Sequence, residues 1–308
     1  MCSLSWRTMP VGILHSQADS ENLVQRTYLL DTSAFRALPA ARLAVVSQSM
    51  RLLVSPFCFW ELLTHLEDEG QFGRVKGNLM KFQHVSVLDD PWASVEHDVV
   101  RLRDGVHDRL NDCELIYAML AALRDSGSVS DFYGKQICDS RNQIRKIAGC
   151  VSRVGDVLRA EEQRFQEYMT KIMTVVRDGC VSLETPADRH RGTLDVLEAW
   201  RIQLGGRIDE SEAVRERLAR RTYVYSSYVL HMAVDYVQRA VTKVDLNDFE
   251  DAKFCQHLAL DAEMTAITAD AALQQCVRNT LAVLNALPDA SWHTKLQVSS
   301  DVEFAVAS

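Results

Sequence analysis

The chain has 308 residues, a formal net charge of −8, 47% hydrophobic residues and 25% charged residues. That balance belongs to a globular protein long enough to bury one large core or two smaller ones, and it excludes a disordered or low-complexity chain. The negative charge argues against a protein that grips nucleic acid over a wide basic surface. Glycine (13) and proline (6) are scarce for the length, which favours long helices. The eight cysteines include no CxxC pair. A zinc site of that spacing is therefore not expected, and the thiols read as reduced groups of a cytoplasmic protein. Residues 1–26 lack the apolar core of a signal peptide, and no run of 18 apolar residues suggests a membrane span.

In chain order, the first 20 residues carry little pattern. Residues 27–30 (Thr-Tyr-Leu-Leu) read as a buried strand. Asp31-Thr32-Ser33 follows, an acid and two hydroxyls suited to open a helix. That helix is expected over 33–48, interrupted near Pro39. Residues 51–55 read as a second buried strand, and Pro56 opens a helix carrying Phe57, Trp60 and Glu61. From about 67 to 240 the pattern turns helical, over 92–125, 131–178, 188–204 and 210–241. A break is expected near Gly149 or Gly155, and an extended piece over 179–186. Alternation then returns. Residues 241–244 read as a short strand or a helix end, Asn247-Asp248 as the cap of a helix through Leu260, and 262–268 as a strand running into a helix at Asp270. Strands alternating with helices over short loops predict an α/β fold, a parallel sheet flanked by helices. In such sheets functional groups gather at the carboxyl ends of the strands.

Four acids occupy such positions. Asp31 ends the first strand, Glu61 lies on the helix after the second, Asp251 on the helix before the last strand, and Asp270 just beyond that strand. Carboxylates brought together repel one another unless a cation neutralises them. An all-oxygen donor set suits Mg²⁺ or Mn²⁺, and such ions polarise phosphodiesters. The constellation therefore points to metal-dependent phosphodiester chemistry.

The same residues resemble a known family. Tyr28-Leu-Leu-Asp31-Thr-Ser looks like the opening motif of PIN-domain nucleases. Ser55-Pro-Phe-Cys-Phe-Trp-Glu61 is similar to the second motif. Asp248-Phe-Glu-Asp251-Ala, with Thr268-Ala-Asp270 after it, resembles the third motif and the closing T-x-D. The resemblance implies a three-layer α/β/α fold, Mg²⁺ or Mn²⁺ held by Asp31, Glu61, Asp251 and Asp270, and hydrolysis of RNA more often than DNA. It divides the chain into a discontinuous PIN-like domain (26–66 and 241–290), a helical insertion domain (67–240) and a C-terminal extension (291–308). The 190 residues between Glu61 and Asp251 depart from the family pattern. They would select the substrate, or carry a protein partner or a homo-oligomer contact.

Each acid has a plainer alternative. Asp31 and Asp270 suit helix N-caps, Glu61 a surface position, and either Asp248 or Asp251 the third ligand, the other capping or assisting. Thr32 and Ser33 either bond a ligand carboxylate or only cap, and Thr268 is placed to support the acids by hydrogen bonding. Glu250 is expected to point elsewhere. His231, His257 and the tyrosines at 223, 225, 228 and 236 read as packing residues. Two basic groups read first as solvated helix faces and second as phosphate-gripping surfaces. They are Arg141, Arg145, Lys146, Arg153, Arg159 and Arg164, and Arg215, Arg217, Arg220 and Arg221. No nucleotide-binding glycine loop or G-x-S-x-G is present, and a haloacid-dehalogenase loop would need an acid where Ser33 stands. Two other functions share the fold expectation: a PIN-like scaffold that has lost hydrolysis, and a structure-specific DNA nuclease.

Overall fold

The structure, a computed structural model, describes residues 26–89, 113–138, 143–204 and 212–300. In chain order the elements begin β1 (Thr27–Leu30), α1 (Thr32–Ala37), α2 (Ala40–Val46), β2 (Arg51–Val54), α3 (Pro56–Thr64), α4 (Phe72–Leu79) and β3 (Ser86–Val87). The middle of the chain supplies α5 (Cys113–Arg124), α6 (Val129–Gly134), a hairpin of β4 (Gln136–Cys138) and β5 (Ile144–Lys146), then α7 (Ile147–Arg177), α8 (Pro186–Leu204) and α9 (Glu212–Gln238). The last elements are α10 (Leu246–Cys255), β6 (Thr265–Ile267), α11 (Ala271–Asn285) and β7 (Gln297–Ser299).

The strands β3-β2-β1-β6-β7 form one parallel sheet in that order. Side chains alternate between the faces of a strand. Tyr28, Leu30, Leu52, Val54 and Ile267 therefore enter one core, and Leu29, Leu53 and Ala266 the other. Both faces are buried under helices, which is why the central strands read as short continuous apolar runs rather than as alternating ones. The protein is thus α/β, with a five-stranded parallel sheet between helices.

The two edge strands come from residues 86–87 and 297–299, so the sheet reaches beyond the segments 26–66 and 241–290. Residues 67–240 also enter both cores. Ile116, Phe132 and Val154 pack on one face of the sheet, while Phe165, Met169, Tyr223 and Val229 pack on the other. The 31-residue helix α7 contributes to both.

Several sequence expectations need correction. Residues 131–178 are not one helix. Gly134 ends α6, and Ile137 is buried by the antiparallel pairing Gln136↔Lys146 and Cys138↔Ile144. α7 then runs through Gly149 and Gly155 without a break. Residues 179–186 contain no strand, and neither do 241–244, where Ala240 takes a positive φ of 53° and turns the chain out of α9. Of the helical stretch expected over 92–125, residues 113–124 are helical and 92–112 lie outside the described residues, as do the N-terminal 25 residues, Arg141 and residues 301–308. Among the described residues, no helix is long and apolar enough to cross a membrane.

Candidate functional site

Strand register sets the site. Leu30 pairs with Val54 on one side and with Ile267 on the other. The next residues, Asp31, Ser55 and Thr268, therefore emerge side by side at the carboxyl edge of three adjacent strands. Each strand feeds a helix after a short connection, because the residue at or just beyond its end is a good cap. Asp31, Ser55 and Asp270 are the N-caps of α1, α3 and α11. Four segments far apart in sequence thus meet around one cleft of about 210 Å³. Its lining includes Asp31, Thr32, Ser33, Ser55, Cys58, Glu61, Asn247, Glu250, Asp251 and Asp270.

The hydroxyls around Asp31 form a closed network. Ser33 Oγ and Thr268 Oγ1 donate to Asp31 Oδ2 at 2.6 and 3.0 Å. In turn Ser33 Oγ accepts from Ala269 N and Thr268 Oγ1 from Asp270 N, each at 3.0 Å. The end of β1 is thereby tied to the end of β6, and Thr268 is fully buried in doing so. Thr32 acts on another acid, its hydroxyl lying where it lowers the pKa of Glu61. The two hydroxyls after Asp31 therefore serve two different carboxylates, Ser33 by a hydrogen bond to Asp31 and Thr32 by favouring the ionised form of Glu61. Asp270 does cap α11, its Oδ1 accepting from Ala272 N and Leu273 N at 2.7 and 2.9 Å. Both Asp31 and Asp270 are caps and also line the cleft.

The frame of α10 decides which of its acids face the cleft. Its cap is Asp245, whose side chain accepts from Asn247 N at 3.0 Å, and not Asn247-Asp248. The helix ends at Cys255 rather than Leu260. With that frame Asn247, Glu250, Asp251 and Phe254, spaced three and four apart, face the cleft together. Asp248 is not among the lining residues but is buried beside them, where it accepts from Tyr236 Oη and, at 3.4 Å, from Tyr228 Oη. Tyr228 Oη also lies 3.3 Å from Asp251 Oδ2. Glu250 is the correction of most consequence. It does not point elsewhere but adds a fifth carboxyl to the cleft.

Burial and mutual repulsion mark this group electrostatically. Glu61 is pushed up from the ordinary carboxylate value by burial and then by Asp31, against the hydrogen bond from Thr32 and the charge of Arg36. Glu250, although partly open to solvent, is raised to about 7 by desolvation and then by Glu61 and Asp31. Asp251 is raised to about 8 by burial and then by Asp31, Asp270 and Asp248. At neutral pH Asp251 is therefore mostly protonated and Glu250 about half so, and a bound cation would displace those protons. The oxygen donors suit a hard divalent ion such as Mg²⁺ or Mn²⁺. As the side chains stand, no group of three or more His, Cys, Asp or Glu among the described residues is arranged to hold one. Coordination would need the carboxylates to close together.

Two further contacts brace the helices that carry the acids. Lys253 Nζ on α10 lies 2.6 Å from Glu161 Oε2 on α7 and stands over the rings of Phe57 and Phe249 at 5.1 and 5.4 Å. His257 Nε2 meets Ser55 Oγ at 3.1 Å. Sequence reasoning missed Glu250, Tyr228 and Arg36. Glu250 stands three residues after Asn247 and four before Phe254, on the helical stripe that lines the cleft; no local signal marks the other two. Against known proteins, no family model, no curated protein and no solved structure matches the chain.

Proposed function

We propose that the cleft is the active site of a PIN-like, divalent-metal-dependent nuclease that hydrolyses RNA phosphodiester bonds. The observation that carries this reading is the convergence of acids from four separate segments at the carboxyl edge of three adjacent parallel strands. Asp31, Glu61, Asp251 and Asp270 would hold Mg²⁺ or Mn²⁺. When bound, such an ion polarises the phosphodiester and stabilises the leaving oxygen. The chain's own groups do the rest. Ser33 and Thr268 hold Asp31 in one orientation, Thr32 favours the ionised form of Glu61, and Tyr228 supports Asp251. The raised carboxyls of Glu250 and Asp251 exchange protons near neutral pH.

A second reading is a PIN-like scaffold without hydrolytic activity. It rests on the net charge of −8 and on the acids not being arranged around one ion as they stand. The deciding experiment incubates the purified full chain with end-labelled single-stranded RNA, single-stranded DNA and branched DNA, in Mn²⁺ or EDTA. RNA cleavage is expected in Mn²⁺ only, with Asp31→Asn lowering the rate at least about a hundredfold. Cleavage indifferent to both EDTA and Asp31→Asn would overturn the assignment. A chain that binds no Mn²⁺ and cuts nothing supports the scaffold, and preferential cutting of branched DNA supports a structure-specific DNA nuclease.

A further inference from the structure

A cation stands at the edge of the acid cleft. Arg36 lies in the last turn of α1, five residues after Asp31. Its Nη1 is 4.0 Å from Glu61 Oε1, and the side chain is 53% exposed against 22% for Glu61. The charge of Arg36 acts on Glu61 ahead of that of His65. The backbone beneath it is pinned, since Lys81 Nζ donates to Arg36 O at 3.0 Å and to Phe35 O at 3.5 Å while the lysine itself is buried.

An ion pair this long and this open to solvent adds little to folding stability. A guanidinium carries five N–H donors in a fixed fork, and a contact at 4.0 Å satisfies few of them. The fork matches the paired oxygens of a phosphate, and here it is held on a short, anchored helix beside Asp31 and Glu61.

We infer that Arg36 binds a backbone phosphate of a nucleic-acid substrate at the Glu61 side of the cleft, exchanging the carboxylate of Glu61 for a phosphate oxygen. This rests on the nuclease reading of the cleft. It assigns Arg36 a contact with the sugar–phosphate backbone, so it contributes affinity that depends on salt and not on base identity.

The test is fluorescence anisotropy with a labelled single-stranded oligoribonucleotide in Mg²⁺, with the full chain carrying Asp31→Asn so that the RNA stays intact. Arg36→Ala and Arg36→Lys are added to that background, and salt is varied. Arg36→Ala is expected to weaken binding about tenfold and to flatten the slope of log affinity against log salt by about 0.7, the value of one phosphate contact on a single strand. Arg36→Lys is expected to fall between the two, because it keeps the charge and loses the fork. Thermal melts of all three proteins should agree, the side chain being largely exposed. Unchanged affinity and slope in Arg36→Ala would overturn the inference, and so would a parent that binds no RNA. RNA held through Arg36 by a chain that cuts nothing supports the inference and removes hydrolysis alone.

Discussion

At the scale of single residues, the site is built from side chains that each do two things. Asp31 and Asp270 satisfy backbone N–H groups at helix starts and also present carboxyl groups to the cleft. Tyr228 has one hydroxyl hydrogen and two acceptors, Asp251 Oδ2 and Asp248 Oδ1, at 3.3 and 3.4 Å. Asp248 keeps its bond from Tyr236 if Tyr228 is lost, whereas Asp251 would have neither Tyr228 nor any capping role. Tyr228→Phe preserves the ring and its packing, so it should cost only about 1 kcal/mol of stability. Calorimetric titration should then show Mn²⁺ binding weaker by about tenfold or more, as for other side chains that orient a ligand. Equal Mn²⁺ affinity in the variant would show that Tyr228 does not orient Asp251.

At the scale of elements, the question is how two helices from distant segments stay aligned. α3 brings Glu61 and α10 brings Asp251. The stack of Lys253 on Phe57 and Phe249 joins them, as does the contact of His257, just beyond α10, with Ser55, the cap of α3. Burial, with the nearby charges of Lys253 and Arg221, holds the His257 pKa down to about 3, against 6.5 for an unhindered imidazole. Below pH 6.5 the unfolded chain takes up a proton that the folded chain refuses. This part of the stability is therefore complete above pH 6.5 and is lost as pH falls toward 3, by up to about 1.4 kcal/mol per pH unit. His190 and His231, also held low by burial, act in the same direction. Denaturant melts at pH 7, 6 and 5 should thus show a steeper decline for the natural chain than for His257→Gln. Parallel declines would mean that His257 is not the group responsible.

At the scale of the whole molecule, the long middle of the chain is structural for the sheet. Leu29, Leu53 and Ala266 from the sheet share one core with Phe165, Met169, Tyr223 and Val229 from α7 and α9. Removing the helices would open that face of the sheet to water, and each large side chain uncovered costs roughly 1.5–3 kcal/mol. Folded domains hold only about 5–15 kcal/mol in reserve. Replacing residues 113–240 with a flexible linker should therefore yield a chain without a cooperative thermal transition in circular dichroism. A sharp melt in the shortened chain would mean that the sheet stands without these helices. The same packing brings this segment to the helix that carries Asp251, through Tyr228 on α9 to Asp251 itself and through Glu161 on α7 to Lys253.

Local chemistry made much of this legible in the sequence. Short apolar runs ending in Asp31-Thr32-Ser33, Ser55-Pro56 and Thr268-Ala269-Asp270 specify buried strands that turn into capped helices, because those residues satisfy helix N–H groups within three positions of themselves. Capping and side-chain alternation are local, so the α/β class and the acids at strand ends follow from the order of residues alone. The edge strands at 86–87 and 297–299 were not legible, since each pairs with a strand far along the chain; the β4–β5 pairing and the cap at Asp245 are local, but the residues around them read equally as helix over 131–178 and as a cap at Asn247-Asp248. Only the tertiary structure brought Glu250 and Arg36 to the acids and set Tyr228 between Asp248 and Asp251. Burial and electrostatic proximity belong to the packed molecule, and no stretch of sequence contains them.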